Sequence, residues 1–94
     1  MIGFIARNKA EKLIGISEKT LRRYDQILTL SIPAYAEARG GARQPITEYQ
    51  LWCLKKLKQL YSKGLRGSRV YDYLSKNKHL LTIEVFQSEN NRFG

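Results

Sequence analysis

The residues of this chain best suited to chemistry are cationic, and they gather in one short stretch: Leu13-Ile14-Gly15-Ile16-Ser17-Glu18-Lys19-Thr20-Leu21-Arg22-Arg23-Tyr24-Asp25. It reads as two short helices set at an angle by a turn centred on Gly15. Ser17 supplies an N-cap for the second helix, and Glu18 suits that helix's positive end. Leu21, Tyr24 and Leu28 fall on one face, and Lys19, Thr20, Arg22 and Arg23 mostly on others. On DNA, Lys19, Thr20 and Arg23 would face the duplex, with Arg22 and Tyr24 divided between backbone contact and core. An arginine can bond guanine O6 and N7 with two parallel hydrogen bonds, so this pattern fits a helix entering the major groove of duplex DNA.

Other chemistries lack their residues. The chain holds one His, His79, and one Cys, Cys53. There is no convincing carboxylate pair, nucleophile motif or phosphate loop, so no enzymatic activity is expected. A lone thiol beside Trp52 and Leu54 reads as a small buried hydrophobe, and it cannot form a tetrahedral metal site alone. No metal and no cofactor are expected.

The whole chain supports the cationic reading. Its 94 residues allow one small domain with a formal net charge of +9. Residues 1–46 carry eight basic and four acidic side chains, residues 47–78 eight and two, and residues 79–94 one and two. Such a field attracts a polyanion and gives salt-sensitive affinity for nucleic acid. A lysine-rich solubilising surface is the plainer alternative. With no signal sequence, no long apolar run and a single cysteine, a cytoplasmic, nucleoid-associated protein is expected.

Several elements must position the cationic stretch. Gly3–Ala6 is a brief strand or an extended lead-in. Asn8 and Glu11 resemble a capping box opening the first helix, which Gly15 stops. Around Leu30 the helical pattern fails. The Gly40-Gly41 pair between Ser31 and Pro45 suggests a hairpin with a basic tip, or else a surface loop. Thr47 with Gln50 caps the longest helix, with Leu51, Leu54, Leu57 and Tyr61 as its inner stripe and Lys55, Lys56, Lys58 and Lys63 outside. Gly64 ends it, and Val70, Tyr71 and Leu74 mark a further helix. Leu81, Ile83 and Val85 at spacing two predict a C-terminal strand.

Taken in order, residues from about 8 to 74 resemble the DNA-binding domain of the MerR family of transcriptional regulators. Ala10–Ser17 resembles the family's first helix and turn, and Thr20–Asp25 its recognition helix. Pro33 and Arg43 bracket the wing, and Ile46–Leu57 with Gly64–Leu74 resembles the two helices that follow. Glu11, a longer wing segment and Pro45 depart from the family pattern. The long dimer-forming helix that follows in the family has no counterpart here.

The resemblance implies a mainly α fold with a small β part, a winged helix-turn-helix of four helices and a wing hairpin, to which the spacing of Leu81, Ile83 and Val85 adds a C-terminal strand. Residues 1–78 would form the DNA-binding domain, and residues 79–94 a strand and tail for dimerisation. The DNA-facing set would be Ser17, Lys19, Thr20, Arg22, Arg23, Tyr24, Arg39, Arg43, Gln44, Arg66, Ser68 and Arg69, and the resemblance singles out Arg22 as a contact. Leu81, Ile83, Val85 and Phe86 would join two copies into a homodimer on a palindromic site. No small-molecule effector is expected. The implied function is transcriptional repression by promoter occupancy. An excisionase-like or architectural protein of a mobile element is the alternative, and an RNA-binding or partner-docking module a more distant one.

Overall fold

The computed structural model describes residues 4–38 and 45–91. Among these the chain is mainly helical, with one small antiparallel sheet. Strand β1 (Phe4–Ile5) pairs with β2 (Ile46–Thr47), placing Phe4 opposite Thr47 and Ile5 opposite Ile46. The lead-in is therefore a strand, and it clips the N-terminus beside the start of the longest helix.

Helix α1 (Arg7–Ile14) begins directly after this strand. Its N-cap is the extended Ala6, with no side-chain cap bond, so Asn8 is an interior helical residue and not the expected cap. Pairing of β1 with β2 sets the entry point and overrides the local capping signal. Gly15 ends α1 in the left-handed region at φ 82°. The N–H groups of Gly15 and Ile16 both donate to the Glu11 carbonyl, at 2.7 and 3.0 Å.

Helix α2 (Glu18–Ser31) opens on Ser17, whose hydroxyl oxygen accepts the Thr20 N–H at 3.2 Å. It runs one residue past Leu30 and buries Leu21, Tyr24, Asp25, Ile27 and Leu28. Extended Ile32 then leads into helix α3 (Pro33–Ala38). This corrects the hairpin expectation for its first part. Proline suits a first helical position, where its missing N–H is not needed and its φ is preset. Fully buried Tyr35 anchors α3 by donating from its hydroxyl to Asp25 Oδ1 at 2.6 Å. The Gly40-Gly41 tip lies outside the described residues.

Helix α4 (Glu48–Ser62) carries the reciprocal capping box expected at Thr47 and Gln50. Its interior face is rotated from the expected stripe. Tyr49, Gln50, Cys53, Leu54, Leu57 and Leu60 are buried, whereas Leu51 and Tyr61 are half-buried. Gly64 follows the C-cap Lys63 at φ 98°, in keeping with the expected stop. Helix α5 (Ser68–Lys76) buries Val70 and Leu74, leaving Tyr71 exposed.

The C-terminal strand is not formed. Residues Lys78–Leu81 make a 3-10 turn, and Ile83–Asn91 form helix α6. Thr82 decides this, because its hydroxyl oxygen accepts the Val85 N–H at 3.3 Å as an N-cap. The alternation of Leu81, Ile83 and Val85 is overridden by an i, i+4 relation between Leu81 and Val85, both of which line the cleft beneath α6. Leu81 is buried and its carbonyl accepts the Tyr49 hydroxyl, while Phe86 packs on Tyr49 and Trp52 with ring centres 5.8 and 5.6 Å apart. Two of the four residues assigned to a dimer strand thus serve this chain's own interior. Ile83 stays exposed and Val85 half-buried.

Candidate nucleic-acid interface

The outward face of α2 is the candidate site, and its placement begins at the turn before it. Lys58, on α4, donates from Nζ to the Ile14 carbonyl at 2.6 Å and lies 3.4 Å from the Gly15 carbonyl. A cation is thus seated on the last carbonyls of α1, where the helix dipole is negative. This contact pins the α1–α2 turn to the longest helix. The sequence pattern puts Lys58 on the solvent side of α4. Its partners lie 44 and 43 residues away, so no local signal could have revealed them.

A Cβ at Gly15 would lie 2.9 Å from Lys58 Nζ, in a backbone conformation that side chains rarely adopt. Gly15→Ala is therefore expected to lower stability by about 1–2 kcal/mol from backbone conformation, and further if Lys58 leaves its seat. A lowered urea midpoint with an unchanged m-value would show this.

Beyond the turn, α2 presents Lys19, Arg22 and Arg23 to solvent. Arg22 Nη2 sits 2.7 Å from Glu18 Oε1, with the two side chains 68% and 63% exposed. Such an i, i+4 pair adds only about 0.3–0.5 kcal/mol to stability, but it biases the guanidinium's position along the face. Thr20 is half-buried and tied to the Ser17 cap, its N–H donating to the Ser17 hydroxyl oxygen and its own hydroxyl oxygen accepting from Ser17 at 3.0 Å.

Tyr24 corrects the expected contact set. It is 6% exposed, and its ring stacks on Tyr61 with centroids 5.1 Å apart and planes 13° from parallel. Burial, then the neighbouring Tyr61, raises its hydroxyl above the usual phenol value. Tyr24 therefore belongs to the packed side of α2. The Arg66 guanidinium also lies over the Tyr61 ring, 5.0 Å from its centre. Arg66 Nη1 donates to the carbonyls of Tyr61 and Leu65 at 2.6 and 2.7 Å, closing the end of α4. Tyr61 thus contacts both Tyr24 on α2 and Arg66 just before α5, where Ser68 and Arg69 are exposed. Arg39, Arg43 and Gln44 lie outside the described residues.

Behind this face, burial pushes the Cys53 thiol up from near 9 to about 12, against a smaller opposing effect of the Tyr49 hydroxyl. Burial likewise raises Tyr35 and Tyr49 above the ordinary phenol value of 10. The folded chain holds these protons more tightly than the unfolded chain does. Their contribution to stability is complete below pH 9 and is lost as pH rises from about 9 toward 12. Urea midpoints are expected to fall steadily through that window. Cys53→Ala should reduce the slope at its lower end.

Among the described residues no three of His, Cys, Asp and Glu gather where they could hold a metal ion. No described helix is long and apolar enough to cross a membrane. Comparisons with protein-family models, curated proteins and solved structures gave no match to this chain.

Proposed function

We propose that this chain is a winged helix-turn-helix domain of the MerR type that binds duplex DNA sequence-specifically and represses transcription by occupying a promoter. The observation that carries this reading is the two-sided character of α2. Lys19, Arg22 and Arg23 stand exposed on one side, and Leu21, Tyr24, Ile27 and Leu28 are buried on the other. The short Gly15–Ser17 turn, held by Lys58, sets α2 at the surface as a reading helix requires. The net charge of +9 supports the same partner, since it favours phosphate contacts and rapid association.

Exposed Ser68 and Arg69 at the start of α5 would add backbone contacts, positioning the domain without reading bases. Two copies on a palindrome would place their α2 helices in successive major grooves, about 34–36 Å apart. Footprinting on the DNA upstream of the chain's own coding region tests the reading. Protection of an inverted repeat overlapping a promoter is expected. Absence of any protected duplex site at concentrations up to the micromolar range of non-specific binding rejects it.

A further inference from the structure

Gln26 lies on the exposed face of α2 and was not singled out by the sequence. Glu18, Arg22, Gln26 and Leu30 form one i, i+4 row along the helix, with Lys19 and Arg23 beside it, and all six are exposed. Gln26 stands one turn beyond Arg22 on this row. Its carboxamide has no hydrogen-bond partner among the described residues. Amides elsewhere in the fold are in use: Gln50 closes the capping box of α4, and Asn77 donates to the Tyr73 carbonyl at 2.9 Å.

We infer that Gln26 is a specificity-determining residue that reads adenine in the major groove. The inference rests on the reading of α2 as a groove-binding helix. An uncharged amide adds nothing to the attraction for phosphates that Lys19, Arg22 and Arg23 supply. It does offer a donor and an acceptor side by side, matching the N7 acceptor and N6 amino donor of adenine. A lysine or arginine lacks the acceptor that the N6 amino group needs. Gln26 lies four residues beyond Arg22, about 6 Å along the helix, which corresponds to about two base steps of duplex DNA. An adenine should therefore stand about two base pairs from the base that Arg22 addresses.

Selection from a randomised duplex pool, run in parallel for the wild type, Q26A and R22A, tests this. The substitution at 26 is on an exposed helical position and favours the helix, so it leaves folding intact. The wild type is expected to prefer adenine by about tenfold at one position per half-site. Q26A should lose that preference alone, whereas R22A should keep it and lose the neighbouring one. If Q26A selects the same adenine as the wild type, this inference is overturned while the DNA reading stands. A wild type that enriches no duplex overturns both.

Discussion

Tyr35→Ala is expected to lower the free energy of unfolding by about 3–5 kcal/mol, the range for emptying a large aromatic site. Tyr35 is fully buried, so nothing of its ring is returned to water by the native surface. Its hydroxyl donates to the carboxylate of Asp25, which is itself only 6% exposed. A hydrogen bond to a charged buried acceptor is worth about 1.5–3 kcal/mol. Tyr35→Phe isolates that share, because it keeps the ring and removes the hydroxyl. A domain of this length has about 5–14 kcal/mol in total, so the alanine variant should be partly unfolded near physiological temperature. Urea midpoints of both variants check the ordering: wild type above Phe, and Phe well above Ala. The result also bears on the candidate interface. Asp25 lies on α2 and Tyr35 on α3, so the bond holds α2 against the element that follows it.

The second large effect is on binding. Alanine at both Arg22 and Arg23 is expected to weaken binding to the preferred duplex by about a hundredfold, roughly tenfold per arginine, with stability changed by under about 0.5 kcal/mol. The separation follows from exposure: Arg22 is paired to the exposed Glu18, and Arg23 is exposed. Lysine at both positions should restore much of the non-specific affinity but little of the site preference, because an ammonium cannot make two parallel bonds to one base. Fluorescence anisotropy on a selected and a scrambled duplex reads both quantities. Equal affinities for the wild type and the alanine variant would remove α2 from the interface.

What could be read from the sequence, and what could not, divides along a physical line. Signals completed within one turn of chain were legible. Ser17, the Thr47–Gln50 box and the stops at Gly15 and Gly64 all stand where the residue types placed them. Signals depending on partners far along the chain were not. Asn8 is a good cap in isolation, but pairing of β1 with β2 starts the helix earlier. Leu81, Ile83 and Val85 alternate like a strand, yet the Thr82 cap and the aromatic seat for Phe86 on Tyr49 and Trp52 favour a helix. Thr82-Ile83-Glu84-Val85 was the local clue, a cap followed by an acidic first turn. Pro33 was likewise the clue to α3.

The site divides in the same way. The exposure of Lys19, Arg22 and Arg23 followed from helical spacing around Leu21. Spacing puts Tyr24 on one face with Leu21 and Leu28, where it is buried, but the ring that covers it comes from Tyr61 on another helix and has no local signal. Gln26 was legible in principle, being one turn beyond Arg22, but it carries no charge to draw notice. The position of Lys58 on the α1–α2 turn emerges only once α4 has packed against α1.

The most direct test of the central claim is the binding constant for a selected duplex, measured against scrambled duplex and an RNA hairpin, across about 50 to 200 mM salt. The selected duplex is expected to bind at least about a thousandfold more tightly than the scrambled one, with log affinity falling linearly against log salt. No comparable gain is expected for RNA. Equal affinity for selected and scrambled duplex, or tighter binding of the RNA hairpin, would contradict it.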